Sequence, residues 1–172
     1  MKIELKKIKI AEHMSEETTA FTAEIYIDGV NAGYAKNDGR GGMTDYTHHY
    51  SENKAKIEAN RKLIEQAENY CLSLPPIDYG TFKIDMNLEH FIDNLIEDEI
   101  KKKDKNKFEK KMINHIMWGV PGSSSYVQVK LPKPITHYTL PAIQKAIDTY
   151  KKGFKKGEQF LNTNLEALGV KL

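Results

Sequence analysis

The sequence predicts an α+β domain: an antiparallel sheet of about four strands, an N-terminal meander plus one late strand, packed against three to four helices. Three observations carry this. Apolar residues alternate from Ile3 to about Ala35, the strand period. From about Ser51 the period changes to the helical one, and the short segment Ser125 to Leu131 then returns to alternation between Gly122-Ser123-Ser124 and Pro132.

Ile3 and Leu5 alternate in one phase and Ile8 and Ile10 in the other, so the Lys6-Lys7 pair marks a bulge that resets the inward face of a first strand ending near Ala11. Phe21, Ala23, Ile25 and Ile27 build a second strand. Asp28-Gly29 is a hairpin turn, and a third strand runs to about Ala35. A meander of this kind brings the loop Glu12 to Thr19 and the loop Asn37 to Tyr50 to one end of the sheet.

Ile57, Leu63, Ile64, Ala67, Tyr70, Cys71 and Leu74 make one helical stripe, stopped by Pro75-Pro76. Asp85 or Asn87 caps a second helix with Leu88, Phe91, Ile92, Leu95, Ile96 and Ile100 inward. The lysine-rich stretch Lys101 to Lys107 carries little apolar content before Phe108, Met112, Ile113 and Ile116 resume the pattern up to Gly119, as one long helix or two. Val127, Val129 and Leu131 form the late strand, expected to join the meander. Thr139 then caps a helix with Pro141 in its first turn and Ile143, Ile147, Tyr150 and Phe154 inward, and a short helix ends at Gly169.

With 172 residues, 40% hydrophobic and 29% charged, the chain fits one domain over 1–172, folding alone or as a small oligomer. The formal charge of +2 supplies no global field toward nucleic acid or a membrane surface, so neither is expected as a partner. The lysine run is preceded by Glu97, Asp98 and Glu99 at ion-pairing helical spacing and reads as a solvated face. One cysteine, Cys71, excludes an intrachain disulfide and reads as a small buried apolar residue. No apolar run has the length of a membrane span, and the alternating N-terminus offers no leader, which leads to a cytoplasmic expectation.

Asn37-Asp38-Gly39-Arg40-Gly41-Gly42 is the sharpest candidate site. It carries one of two arginines in the chain, beside glycines that free the backbone to point N–H groups at an anion. A guanidinium adds a bidentate fork. The same glycines also serve a tight connection with Asx turns at Asn37 and Asp38. The facing loop offers Glu16 and Glu17 as partners for Arg40 or as acid/base groups. Asp38, Asp45, His48 and His49 supply carboxylates and imidazoles for a metal-dependent hydrolase or nuclease, with Glu16 or Glu17 as general base. Their spacing puts no two imidazoles on one face.

Ser15 to Thr18, the strand end at Asp28-Gly29, the Asn37 to Gly42 loop and His48 or His49 together resemble a signature of small phage- and prophage-encoded proteins: Ser-Glu-Glu-Thr, Asp-Gly, then Asn-Asp-Gly-x-Gly-Gly followed by histidine. The resemblance covers about the first fifty residues. It implies a phage-type accessory protein that acts by binding, as an inhibitor of host defence, either to a nucleotide signal or to a host effector protein.

The leading expectation is therefore a binding protein without catalysis or cofactor. Its site comprises Glu16, Glu17, Asn37, Asp38, Gly39, Arg40, Gly41, Gly42, His48 and His49, for a phosphate-bearing ligand or an acidic protein surface. The hydrolase is the alternative, and an interaction protein whose glycine loop only shapes the fold is the third.

Overall fold

The structure, a computed structural model, describes all 172 residues. Four strands, β1 (Ile3–Ile10), β2 (Phe21–Ile27), β3 (Val30–Asn37) and β4 (Asp45–His48), form an antiparallel sheet in sequential order. The expected bulge is present. The β1–β2 register shifts between Lys6 and Lys9, and Lys7 takes a φ of 51°. Asp28 and Gly29, at φ 47° and 85°, turn β2 into β3 in the sense that matches strand twist.

One sheet face is apolar and the other polar, as period-two alternation requires. Ile25 and Ile27 are fully buried, each contributing about 1.5–3 kcal/mol by that burial. Helix α1 (Lys54–Leu72) lies against this face through Ile64, Ala67 and Cys71. The Asn53 side chain caps it by accepting from the Ala55 N–H at 2.9 Å.

A two-stranded hairpin, β5 (Ile77–Asp78) and β6 (Lys83–Ile84), precedes helix α2 (Leu88–Met112). Asn87 caps α2 by accepting from the His90 N–H at 2.7 Å, and Leu88, Ile92 and Ile96 enter the sheet's core. The lysine-rich stretch is thus the middle of one continuous helix.

The remainder holds β7 (His115–Gly119), β8 (Val127–Lys130), α3 (Leu140–Lys151), β9 (Gln159–Phe160) and the short α4 (Asn164–Ala167). Here two expectations are corrected. The late strand forms as β8 but pairs with β7 in a separate sheet ordered β8-β7-β9, and the fourth meander strand is β4. Ile116 belongs to β7 rather than to a helix. Once β4 occupies the edge of β3, the nearest partner for β8 is the apolar run Ile116-Met117-Trp118 across a short loop.

The chain divides into two compact units, Met1–Ile100 and Lys101–Leu172, each with its own apolar cluster. The second cluster gathers Ile116, Ile135, Ile143, Ile147, Phe160, Leu165 and Val170. Buried Asn162 ties this unit together. Its side-chain oxygen accepts from the Met117 N–H at 2.6 Å and its amide donates to the His115 carbonyl at 2.9 Å. No helix is long and apolar enough to cross a membrane.

Candidate functional site

The loops leaving β1 and β2's partner strand β3 do meet at one end of the sheet, stitched by backbone and hydroxyl hydrogen bonds. The Gly39 carbonyl accepts from three successive amides, Glu16 at 2.9 Å, Glu17 at 3.1 Å and Thr18 at 3.3 Å. A backbone nest of the kind that holds anions is present, and its occupant is the chain's own carbonyl. Gly39 sits at φ 85°, and a side chain there would overlap the Met14 carbonyl, so glycine is required both by conformation and by this close approach.

The amides of the glycine loop are equally committed. Gly39 N–H donates to Asn37 Oδ1 at 2.8 Å, Arg40 N–H to Asp38 Oδ1 at 3.3 Å, and Gly41 N–H to Thr18 Oγ1 at 3.2 Å. The first two are Asx turns. With these three amides engaged, the Arg40 guanidinium, which is exposed, is the loop's charged group open to an anion.

Below the loops a polar chain runs onto α2. Asn37 Nδ2 donates to Thr44 Oγ1 at 3.2 Å, and buried Thr44 donates to Asp93 Oδ1 at 2.6 Å and, through its N–H, to Glu89 at 3.2 Å. Asn37 and Asp93 of this polar chain border a cleft of about 230 Å³ walled also by Thr18, Thr19, Ile96 and Glu97. Its ionisable groups are carboxylates, a poor environment for phosphate.

His48 and His49 do not join the loops. Strand β4 runs antiparallel to β3, pairing Asp45 with Lys36 at the loop end and His48 with Gly33 three residues further along. The two imidazoles also part across the sheet. His48 lies near Glu58 of α1, where it assists Arg61 in holding that carboxylate below its usual range, while His49 lies near Glu24, held low mainly by Lys7. No group of three or more His, Cys, Asp or Glu side chains is placed to hold a metal ion. The set Asp38, Asp45, His48, His49 proposed for a hydrolase is thus dispersed by β4, which carries His48 away from the loops with His49 just beyond it.

What remains at the loop end is a braced crest. Glu12, Glu16, Glu17 and Asp38 stand there with Arg40, Asp45 pairs with Lys36 at 3.8 Å, and two methionines project from it, Met14 at 47% and Met43 at 77% exposure. The methionines, Thr18 and Thr44 carry no sequence signal of a site, since each reads as an ordinary loop residue. Comparison with family profiles, curated proteins and solved structures finds no match to this chain.

Proposed function

We propose that the protein is a binding protein whose recognition surface is this crest, and that its partner is a protein presenting basic groups around an apolar contact. The observation that carries the reading is the internal satisfaction of the amides at Gly39, Arg40 and Gly41, which turns the glycine loop from an anion cradle into a rigid support. A preordered loop pair loses little entropy on binding. Methionine and arginine are interface-enriched residues, and the surrounding carboxylates match a basic rim. In the setting implied by the phage-type signature, the partner is a host effector and the outcome is inhibition.

Native mass spectrometry of the tagged protein, isolated gently from host cells, tests this. A protein-sized partner is expected with the unaltered chain, lost with Met43→Asp and with the Glu16→Lys/Glu17→Lys pair, and retained with Lys54→Ala on α1. A small phosphate compound as sole adduct, removed by Arg40→Ala, would overturn it in favour of a nucleotide ligand.

A further inference from the structure

The near-neutral total hides a steep division of charge. Residues 101–172 carry fifteen lysines against five carboxylates, a net +10, while residues 1–100 carry a net −8. Such asymmetry between segments is the footprint of a polyanion partner for the basic one. Helix termini account for some of these lysines, which suit the C-terminal dipole of α3. They do not account for a threefold excess over the whole unit.

The basic unit also carries a stack of aromatic rings packed along its apolar cluster. Trp118 of β7 stacks on Tyr150, with centroids 5.2 Å apart and planes at 16°, and on Phe154 at 5.9 Å and 20°. All three rings are only partly buried. They are interleaved with exposed lysines in Tyr150-Lys151-Lys152-Gly153-Phe154-Lys155-Lys156. Phe154 further walls a cleft of about 360 Å³, together with Lys151, Glu158, Gln159, Phe160, Glu166 and Leu172, whose two side-chain carboxylates leave room for a base edge rather than for its phosphate. An unpaired base needs an aromatic face, an adjacent cation for its phosphate, and polar groups for its edge. Glu158 and Gln159 supply the last, a carboxylate suiting exocyclic amino groups.

We infer that the unit Lys101–Leu172 binds single-stranded nucleic acid, with a base entering the cleft against the Phe154 ring, which the Trp118 stack supports, and the backbone tracking Lys151, Lys152, Lys155 and Lys156. A duplex fits less well because its bases are already stacked and its edges paired.

Trp118 is the chain's single tryptophan, so its fluorescence reports the platform directly. The full-length protein is titrated with a mixed-sequence single-stranded DNA of about 12 nucleotides, within the usual site size of such folds. Saturable quenching is expected, with affinity falling as salt rises at a log–log slope of about −3 if four phosphates are contacted. Lys152→Glu/Lys156→Glu, both exposed, weakens binding by roughly tenfold or more. Phe154→Leu, which keeps the apolar volume, weakens binding while leaving the salt slope in place, and Lys54→Glu/Lys56→Glu in the first unit leaves both unchanged. Absence of quenching at low salt overturns the inference. So does equal binding of the same-sequence duplex or of vesicles rich in anionic lipid, either of which reduces the surface to a general polyanion binder.

Discussion

The Thr18 hydroxyl donates to Asn37 Oδ1 at 2.9 Å and accepts from the Gly41 N–H at 3.2 Å, so one side chain pins the two loops of the crest together. Asn37 Oδ1 also receives the Gly39 N–H. Removing the hydroxyl takes the acceptor from the Gly41 N–H and leaves Asn37 Oδ1 with one donor instead of two. Thr18→Val is expected to cost about 1–3 kcal/mol in denaturant unfolding, whereas Thr18→Ser stays within about 0.5 kcal/mol. Equal stability of the two variants would show that the pin contributes nothing.

Gly39 and Gly42 belong to one motif but answer to different constraints. Gly39 has positive φ and faces the Met14 carbonyl, while a Cβ at Gly42 meets nothing within 4 Å. Gly39→Ala is expected to cost about 1–2 kcal/mol from backbone conformation alone, with the overlap adding to it, and Gly42→Ala about 0.5 kcal/mol or less. Thermal melts of the two single variants check the ordering.

Thr44 is 4% exposed and bridges Asn37 to Asp93. Thr44→Val keeps the shape and strips the bridge, leaving a carboxylate oxygen and an amide short of a partner. The expected cost is about 2 kcal/mol, with faster amide exchange in residues 37–44. Unchanged exchange there would mean that the crest is not braced from α2.

Two acids in the first unit hold their protons more tightly when folded. Burial, and then its 2.9 Å hydrogen bond to Glu68, pushes the Tyr46 hydroxyl from 10.0 to about 12. Burial alone pushes the Cys71 thiol from 9.0 to about 11. Because the raised values belong to the folded state, the stability they contribute is complete below pH 9 and is lost as pH climbs through the folded values. The denaturation midpoint should be flat up to about pH 9 and fall above it. Tyr46→Phe should shallow the fall, and an identical alkaline slope in that variant would remove Tyr46 from the account.

Much of this fold was legible because its signals were local. The phase slip at Lys6-Lys7, the Asp28-Gly29 turn and the Asn87 cap each follow from a few residues and each is present, while Thr139 takes the N-cap position of its helix without a side-chain capping bond. What escaped depended on partners. Asp45–His48 is a four-residue strand of polar and aromatic residues with no apolar alternation, visible only once β3 offers its edge. Ile116-Met117-Trp118 continues the spacing of Met112 and Ile113, and a short apolar run does not distinguish strand from helix end. Missing β4 placed His48 and His49 in the site, and missing β7 assigned the late strand to the wrong sheet. In the candidate site, the convergence of the two loops followed from meander topology. The commitment of the Gly39, Arg40 and Gly41 amides did not, because it depends on which side chain reaches which N–H. The opposed charges of the two units were countable from the start, yet meaningful only once the division near Ile100 was located.

The central claim is that the glycine loop supports a protein-recognition crest rather than cradling an anion, and an NMR titration of the amide-labelled protein with inorganic phosphate and pyrophosphate tests it most directly. With the Gly39, Arg40 and Gly41 N–H groups already donating to Asn37, Asp38 and Thr18, their resonances should show no saturable shift. Saturable movement of those three amides, abolished in Arg40→Ala, would contradict the account and return the loop to phosphate binding.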